Sequence, residues 1–144
     1  MNPSGAVKYV VVTPPAAKVD NAAVTTAAVD TAGFDRLTFV AVIGDIDANV
    51  ASSKIRESDA SDMSNSADIA AGGTDYALGT AAGSDNKVHA FDVDLRGRKR
   101  YLDFEITGGD GTAGVYLTVV AILSQAAISP DSAADRGCEV YATF

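Results

Sequence analysis

Asp103 and Glu105 alternate along one short stretch, and two carboxylates at such spacing can serve a glycosidase as acid and base. Leu102, Phe104 and Ile106 interleave with them, however, so the same spacing describes the wet face of an amphipathic strand, and that is the reading adopted. Asp45-Ile46-Asp47-Ala48-Asn49 places oxygen ligands at alternate positions, as a calcium loop begins. Val50 stands where such a loop needs glycine and Arg56 where a bidentate Glu closes it, so the stretch reads as a solvated turn and no metal ligand is assigned. His89 is the only histidine; it has no local Ser-His-Asp or Cys-His motif around it and is read as structural. Cys138, between Gly137 and Glu139, reads as a small buried hydrophobe. Gly108, Gly109, Gly111 and Gly114 do not stand between a strand and a helix as a phosphate cradle requires. No catalytic residue, cofactor-binding residue or cofactor follows, and the chain is not expected to be an enzyme.

The densest charge lies at Arg96, Arg98, Lys99 and Arg100, four of the eleven Lys and Arg residues of a chain with net charge −8. Most of such a surface repels phosphate, and with Trp absent nothing alternates aromatic and basic residues as a stacking platform for single strands. Nucleic acid is therefore not an expected partner. Two readings of the basic stretch stand: a solvated turn that also blunts association at sheet edges, or a tip that docks on an acidic partner through Arg forks. These four residues are the candidate partner interface.

These side chains must be positioned by strands. The 144 residues suffice for one core without metal or disulfide support, and one domain over 1–144 is expected. Windows with apolar residues at i, i+3, i+4 and i+7 are missing, whereas β-branched and aromatic runs recur at residues 8–13, 23–29, 34–46, 53–57, 87–95, 100–107, 114–123 and 139–144. About eight strands without a helix between them predict an all-β, two-sheet sandwich resembling a jelly roll. Residues 34–46 and 114–123 are apolar at both parities, so they are central strands or strands whose outer face meets another subunit. A short N-terminal arm occupies about residues 1–7. A long Ser/Asp/Gly-rich loop takes residues 58–86, with a short strand near 68–71. Residues 129–137 make at most two helical turns.

Side-chain parity suggests a hairpin for the basic stretch. If Phe91, Val93 and Leu95 face the same core as Leu102, Phe104 and Ile106, an even-numbered loop is required, and Gly97-Arg98 in a type II′ turn satisfies it. Phe91 then lies opposite Phe104 and Val93 opposite Leu102, with Asp92 opposite Asp103 and Asp94 opposite Tyr101 on the outer face.

Cys138 is the only cysteine, so no internal disulfide forms, and a reducing compartment is expected. The first fifteen residues lack the charged and long apolar regions of a secretory signal. The longest apolar run, residues 115–123, is far short of the roughly 20 residues that span a bilayer as a helix, so no membrane association is expected.

Ser53-Lys54-Ile55-Arg56-Glu57-Ser58-Asp59, the Asp-Ile-Ala-Ala-Gly stretch at 68–72, the run from Val93 to Leu102 and the apolar Val119-Val120-Ala121-Ile122-Leu123-Ser124 resemble a class of small virion proteins of tailed bacteriophages. The resemblance covers roughly residues 34–130, and its motifs are structural. It implies a β-rich, often trimeric capsid decoration or cement protein, made in the bacterial host cytoplasm and located on the capsid exterior of the virion. The implied partners are the major capsid protein and further copies of the chain, a trimer being favoured. Another virion component, such as a head fibre base, a head-tail connector or a tail protein, is the alternative. A carbohydrate-binding module would need exposed aromatic residues, and Tyr76 is the one aromatic residue of the long loop.

Overall fold

The computed structural model describes residues 6–13, 22–46, 52–69, 86–108 and 115–142. Nine strands lie among them: β1 (Lys8–Thr13), β2 (Ala22–Thr25), β3 (Val29–Asp30), β4 (Phe34–Ile46), β5 (Ser52–Ser58), β6 (Ala67–Asp68), β7 (Lys87–Asp94), β8 (Tyr101–Gly108) and β9 (Val115–Ala126). They form two sheets, one ordered β1-β9-β4-β7 and the other β2-β8-β5-β6, with β3 also pairing β8. All the pairings are antiparallel.

Taken as one interrupted strand, β2 and β3 leave eight strands that pair first with last and so on inward, β1 with β9, β2/β3 with β8, β4 with β7 and β5 with β6. This is the order of a jelly roll, a long antiparallel ribbon rolled so that its strands alternate between two sheets. The interruption is bridged by a threonine. Thr26 donates its backbone N–H to the Phe104 carbonyl (2.9 Å) and accepts the Phe104 N–H on its Oγ1 (2.9 Å), so the ladder continues through the break. Ala27 N–H reaches the Val12 carbonyl of the other sheet at 3.0 Å, which ties the two sheets along that side.

The core is built from one side-chain parity of each strand. Leu37, Phe39, Ala41 and Ile43 of β4 are fully buried, as are Val119, Ala121 and Leu123 of β9, and from the opposite sheet Leu102, Phe104 and Ile106. Phe104 stacks on Phe39 (centroids 5.8 Å apart) and meets Phe91 at 5.1 Å. Truncating a buried ring such as Phe39 or Phe104 costs about 3–5 kcal/mol, so these two, with the partly buried Phe91 beside them, hold the sheets together at their centre.

The hairpin predicted around Gly97 is not a hairpin. β7 pairs β4 in one sheet and β8 pairs β2, β3 and β5 in the other, so the basic stretch crosses from sheet to sheet. Phe91 and Phe104 do share the core, but they meet across the sandwich rather than along a ladder. Inward-facing parity is the same in both arrangements, which is why it could not separate them. The short strand lies at Ala67–Asp68 against Glu57 and Arg56, slightly earlier than expected. The remainder of the long loop, residues 70–85, lies outside the described residues, as do residues 1–5 of the N-terminal arm.

The predicted strand at 139–144 does not form over its described part, residues 139–142. The chain is diverted just before it, by a turn in which Ser132 and Asp135 cap each other (Ser132 Oγ to Asp135 Oδ2, 2.7 Å; Asp135 N–H to Ser132 Oγ, 3.1 Å). Tyr9 N–H on the edge strand β1 donates to the Arg136 carbonyl at 2.8 Å. Arg136 is buried, donates to the Pro130 carbonyl at 2.6 Å and lies 4.4 Å from the Tyr141 ring centroid. The last described segment is thus held as a latch over the sheet edge.

Candidate functional site

The four basic residues lie at one end of the sandwich, where the β3–β4 turn, the end of β5 and the β7–β8 connection converge. Their backbone is tightly set. Arg98 N–H closes on the Leu95 carbonyl at 3.0 Å, and Gly97 occupies the third turn position with φ +77°, the signature of a type II turn rather than the type II′ expected. Glu57, from the end of β5, accepts the Lys99 N–H at 3.1 Å. The Arg100 carbonyl accepts both the backbone N–H (3.0 Å) and the hydroxyl (2.7 Å) of Thr31.

Every one of the four cations has an acid beside it. Arg96, whose side chain is 79% exposed, forks onto Asp94 (Nη2 to Oδ2, 2.5 Å; Nε to Oδ1, 3.0 Å). Arg98 lies 3.7 Å from Glu57 and Lys99 3.4 Å from Asp59. Arg100 forks onto Asp30 at 2.9 and 2.8 Å, with its guanidinium 5.3 Å from the Tyr101 ring centroid. The Arg100 fork holds the Asp30 carboxyl below the usual carboxylate range, and the Arg96 fork does the same to Asp94. The guanidiniums of Arg96 and Arg100 are raised in turn. The stretch that is basic in sequence is therefore a rim of alternating charge in space.

The predicted facing of Asp92 and Asp103 is corrected with the hairpin. Asp92 bonds Arg36 and accepts the Thr38 hydroxyl at 3.1 Å on β4, and the Arg36 contact lowers its pKa. Asp103 lies on the other sheet, opposite Arg56. It is not a wet outer residue, since no part of it is exposed. Arg56 forks onto it at 2.9 and 2.6 Å and also reaches Glu105 at 3.1 Å, while Lys54 meets Glu105 at 3.3 Å. The bond to Asp103 raises the Arg56 pKa. Lys54 and Arg56 alternate opposite Asp103 and Glu105; that complementary charge ladder was the sequence signal for this cluster. Both carboxylates are already committed to cations, which is a structural use of them.

His89 faces the core from β7, opposite Ala41, and is half-buried; its Nε2 has no hydrogen-bond partner among the described residues. Cys138 is half-buried, its thiol 3.6 Å from the Arg136 carbonyl. The side chains of the Asp45–Asn49 motif lie outside the described residues.

The two outer faces differ. One carries the Lys54–Arg56–Asp103–Glu105 ladder. The other presents β4 and β9 at its centre, with Val11, Val120, Val40 and Ala90 in one cross-strand row and Thr118, Val42 and Val88 in the next. Val11 is 61% exposed and Val88 63%. The strands read as apolar at both parities are thus the central strands of their sheet, and their outer face is apolar in these two rows, while the rows beside them carry Thr38 with Asp92 and Arg36 with Asp94.

No protein-family model matches the chain, and no curated protein matches it significantly. What the fold defines is its class, a jelly-roll β-sandwich.

Proposed function

We propose that this chain is a structural virion protein that decorates and stabilises a tailed-phage capsid by binding the outer surface of the major capsid protein shell. The observation that carries the reading is the charged rim at one end of the sandwich. Its cations stand on a turn fixed by Gly97, Glu57 and Thr31, so little backbone ordering is left for binding. The Arg96–Asp94 and Arg100–Asp30 pairs are exposed, and exposed pairs contribute little to stability, so these two arginines can exchange Asp94 and Asp30 for carboxylates of a partner at small cost. The resemblance of residues 34–130 to tailed-phage virion proteins supports the identity of that partner, and a homo-oligomer, with a trimer favoured, belongs to the same reading. The protein then works by adhesion rather than catalysis.

The test is co-sedimentation with purified capsids that lack the protein. Wild type should pellet with the shell, and a variant with Arg96, Arg98, Lys99 and Arg100 all changed to Ser should bind at least about tenfold more weakly at low salt. Equal binding of the two proteins at low and high salt would leave the rim as a solvated turn.

A further inference from the structure

We infer that the latch, residues 129–142, opens and closes on the sandwich as a unit of its own, while the sandwich stays folded, and that its closed state is a removable cover over the β1 edge. The inference concerns the free chain and does not rest on binding to a capsid.

The latch satisfies its own polar groups. Besides the mutual cap of Ser132 and Asp135, Arg136 N–H reaches the Ser132 carbonyl at 3.2 Å, Gly137 N–H the Ala134 carbonyl at 2.9 Å and Cys138 N–H the Ala133 carbonyl at 2.8 Å. The Arg136 side chain is engaged inside the segment as well, by the Pro130 carbonyl and the Tyr141 ring. Among the described residues a single backbone hydrogen bond, from Tyr9 N–H to the Arg136 carbonyl, joins the segment to a strand. Lifting the latch therefore breaks one backbone rung and leaves its internal bonds intact.

Little apolar surface holds it down. Among the described residues, none of 129–142 belongs to the buried core cluster, and Val140 is 80% exposed. Two clefts of about 460 Å³ each lie between the segment and the sandwich and meet at Lys8 and Ala134, one lined by Phe34 and Pro130, the other by Val10 and Val29. The latch bridges these clefts without filling them. Segments with few buried apolar contacts are the ones that open at low free energy. The pivot is placed too: Ala127 N–H is fixed to the Gly33 carbonyl at 2.8 Å, and Ile128 beside it is 86% exposed. What seats the closed latch is the fit at Gly137, where a Cβ would stand 1.9 Å from the Tyr9 carbonyl oxygen. Once the latch lifts, the clefts join and Tyr9 presents an unpaired N–H along an open strand edge, the kind of edge on which another chain can pair; closed, the latch blocks it.

The experiment is native-state hydrogen exchange of the full chain by NMR, at urea concentrations below the unfolding transition. Tyr9 N–H turns away from β9 toward the latch, so Val10 N–H turns to β9, and Phe39 lies on β4 between two paired strands. Relative to intrinsic rates, Tyr9 should exchange at least about 100-fold faster than Phe39 with little dependence on urea, and at least about tenfold faster than Val10. Gly137→Ala should speed Tyr9 at least about tenfold. Gly97→Ala, outside the latch, should speed Phe39 about fivefold through global stability and leave Tyr9 unchanged. Tyr9 exchange that matches Phe39 in rate and urea dependence would overturn the inference, since the latch would then open only with the whole molecule. So would Val10 exchanging as fast as Tyr9, which would make β1 the piece that moves. An equal response of Tyr9 and Phe39 to Gly97→Ala, or no response of Tyr9 to Gly137→Ala, would overturn it as well.

Discussion

At Asp103 a carboxylate with no exposed surface is held by the Arg56 fork. Removing one partner of a buried pair costs more than the pair is worth, because the other charge loses its compensation. Arg56 keeps a second acid in Glu105, which softens the loss. Asp103→Asn should therefore lower the unfolding free energy by about 2–3 kcal/mol in urea titration, and Arg56→Met combined with Asp103→Leu should lose less than that single change. The exposed carboxylates set the response to pH. Asp30, Asp92 and Asp94 all have folded pKa values below the ordinary 3.8. A depressed folded value means that the stability these groups add is present above the unfolded pKa and is lost as pH falls through the folded one. The melting temperature should stay level from neutral pH to about 5 and decline below about 4. Arg100→Gln, which frees Asp30, should make that decline shallower.

Among the elements, two glycines with similar backbone angles should behave differently. Gly137 has φ +70°, and a Cβ there would sit 1.9 Å from the Tyr9 carbonyl oxygen; Gly97 has φ +77° with open space around it. Gly97→Ala should cost only the left-handed backbone penalty, about 1 kcal/mol. Gly137→Ala should cost about 2 kcal/mol or more and release the latch over β1, seen as faster hydrogen exchange at the Tyr9 amide. The strands themselves were legible because β-branched and aromatic runs mark each one, and the alternation of Leu102, Phe104 and Ile106 with acids marks the inward face of β8. Which strands pair was not legible at Gly97, since Phe91 and Phe104 point into one core whether they share a sheet or oppose each other. The alternation at residues 139–142 misled because the turn capped by Ser132 carries the chain away first. Arg96, Arg98, Lys99 and Arg100 were visible as a charge cluster, but Asp30, Glu57 and Asp59 reach them from about 40 to 70 residues away in sequence, and only the rolled topology brings those acids close.

The whole molecule is a jelly roll with a charged ladder on one face, two apolar rows on the other and an ion-paired rim at one end, and in the proposed function it is the rim that meets the shell. Serine at the four rim positions should weaken capsid binding at low salt while leaving the far-UV circular dichroism of the sandwich unchanged. The most direct test is the number of copies of this chain per major capsid protein in purified, intact virions, counted by quantitative mass spectrometry with isotope-labelled standards. A decoration protein predicts a fixed stoichiometric ratio across the shell, whereas a few copies per particle, or none, would contradict it.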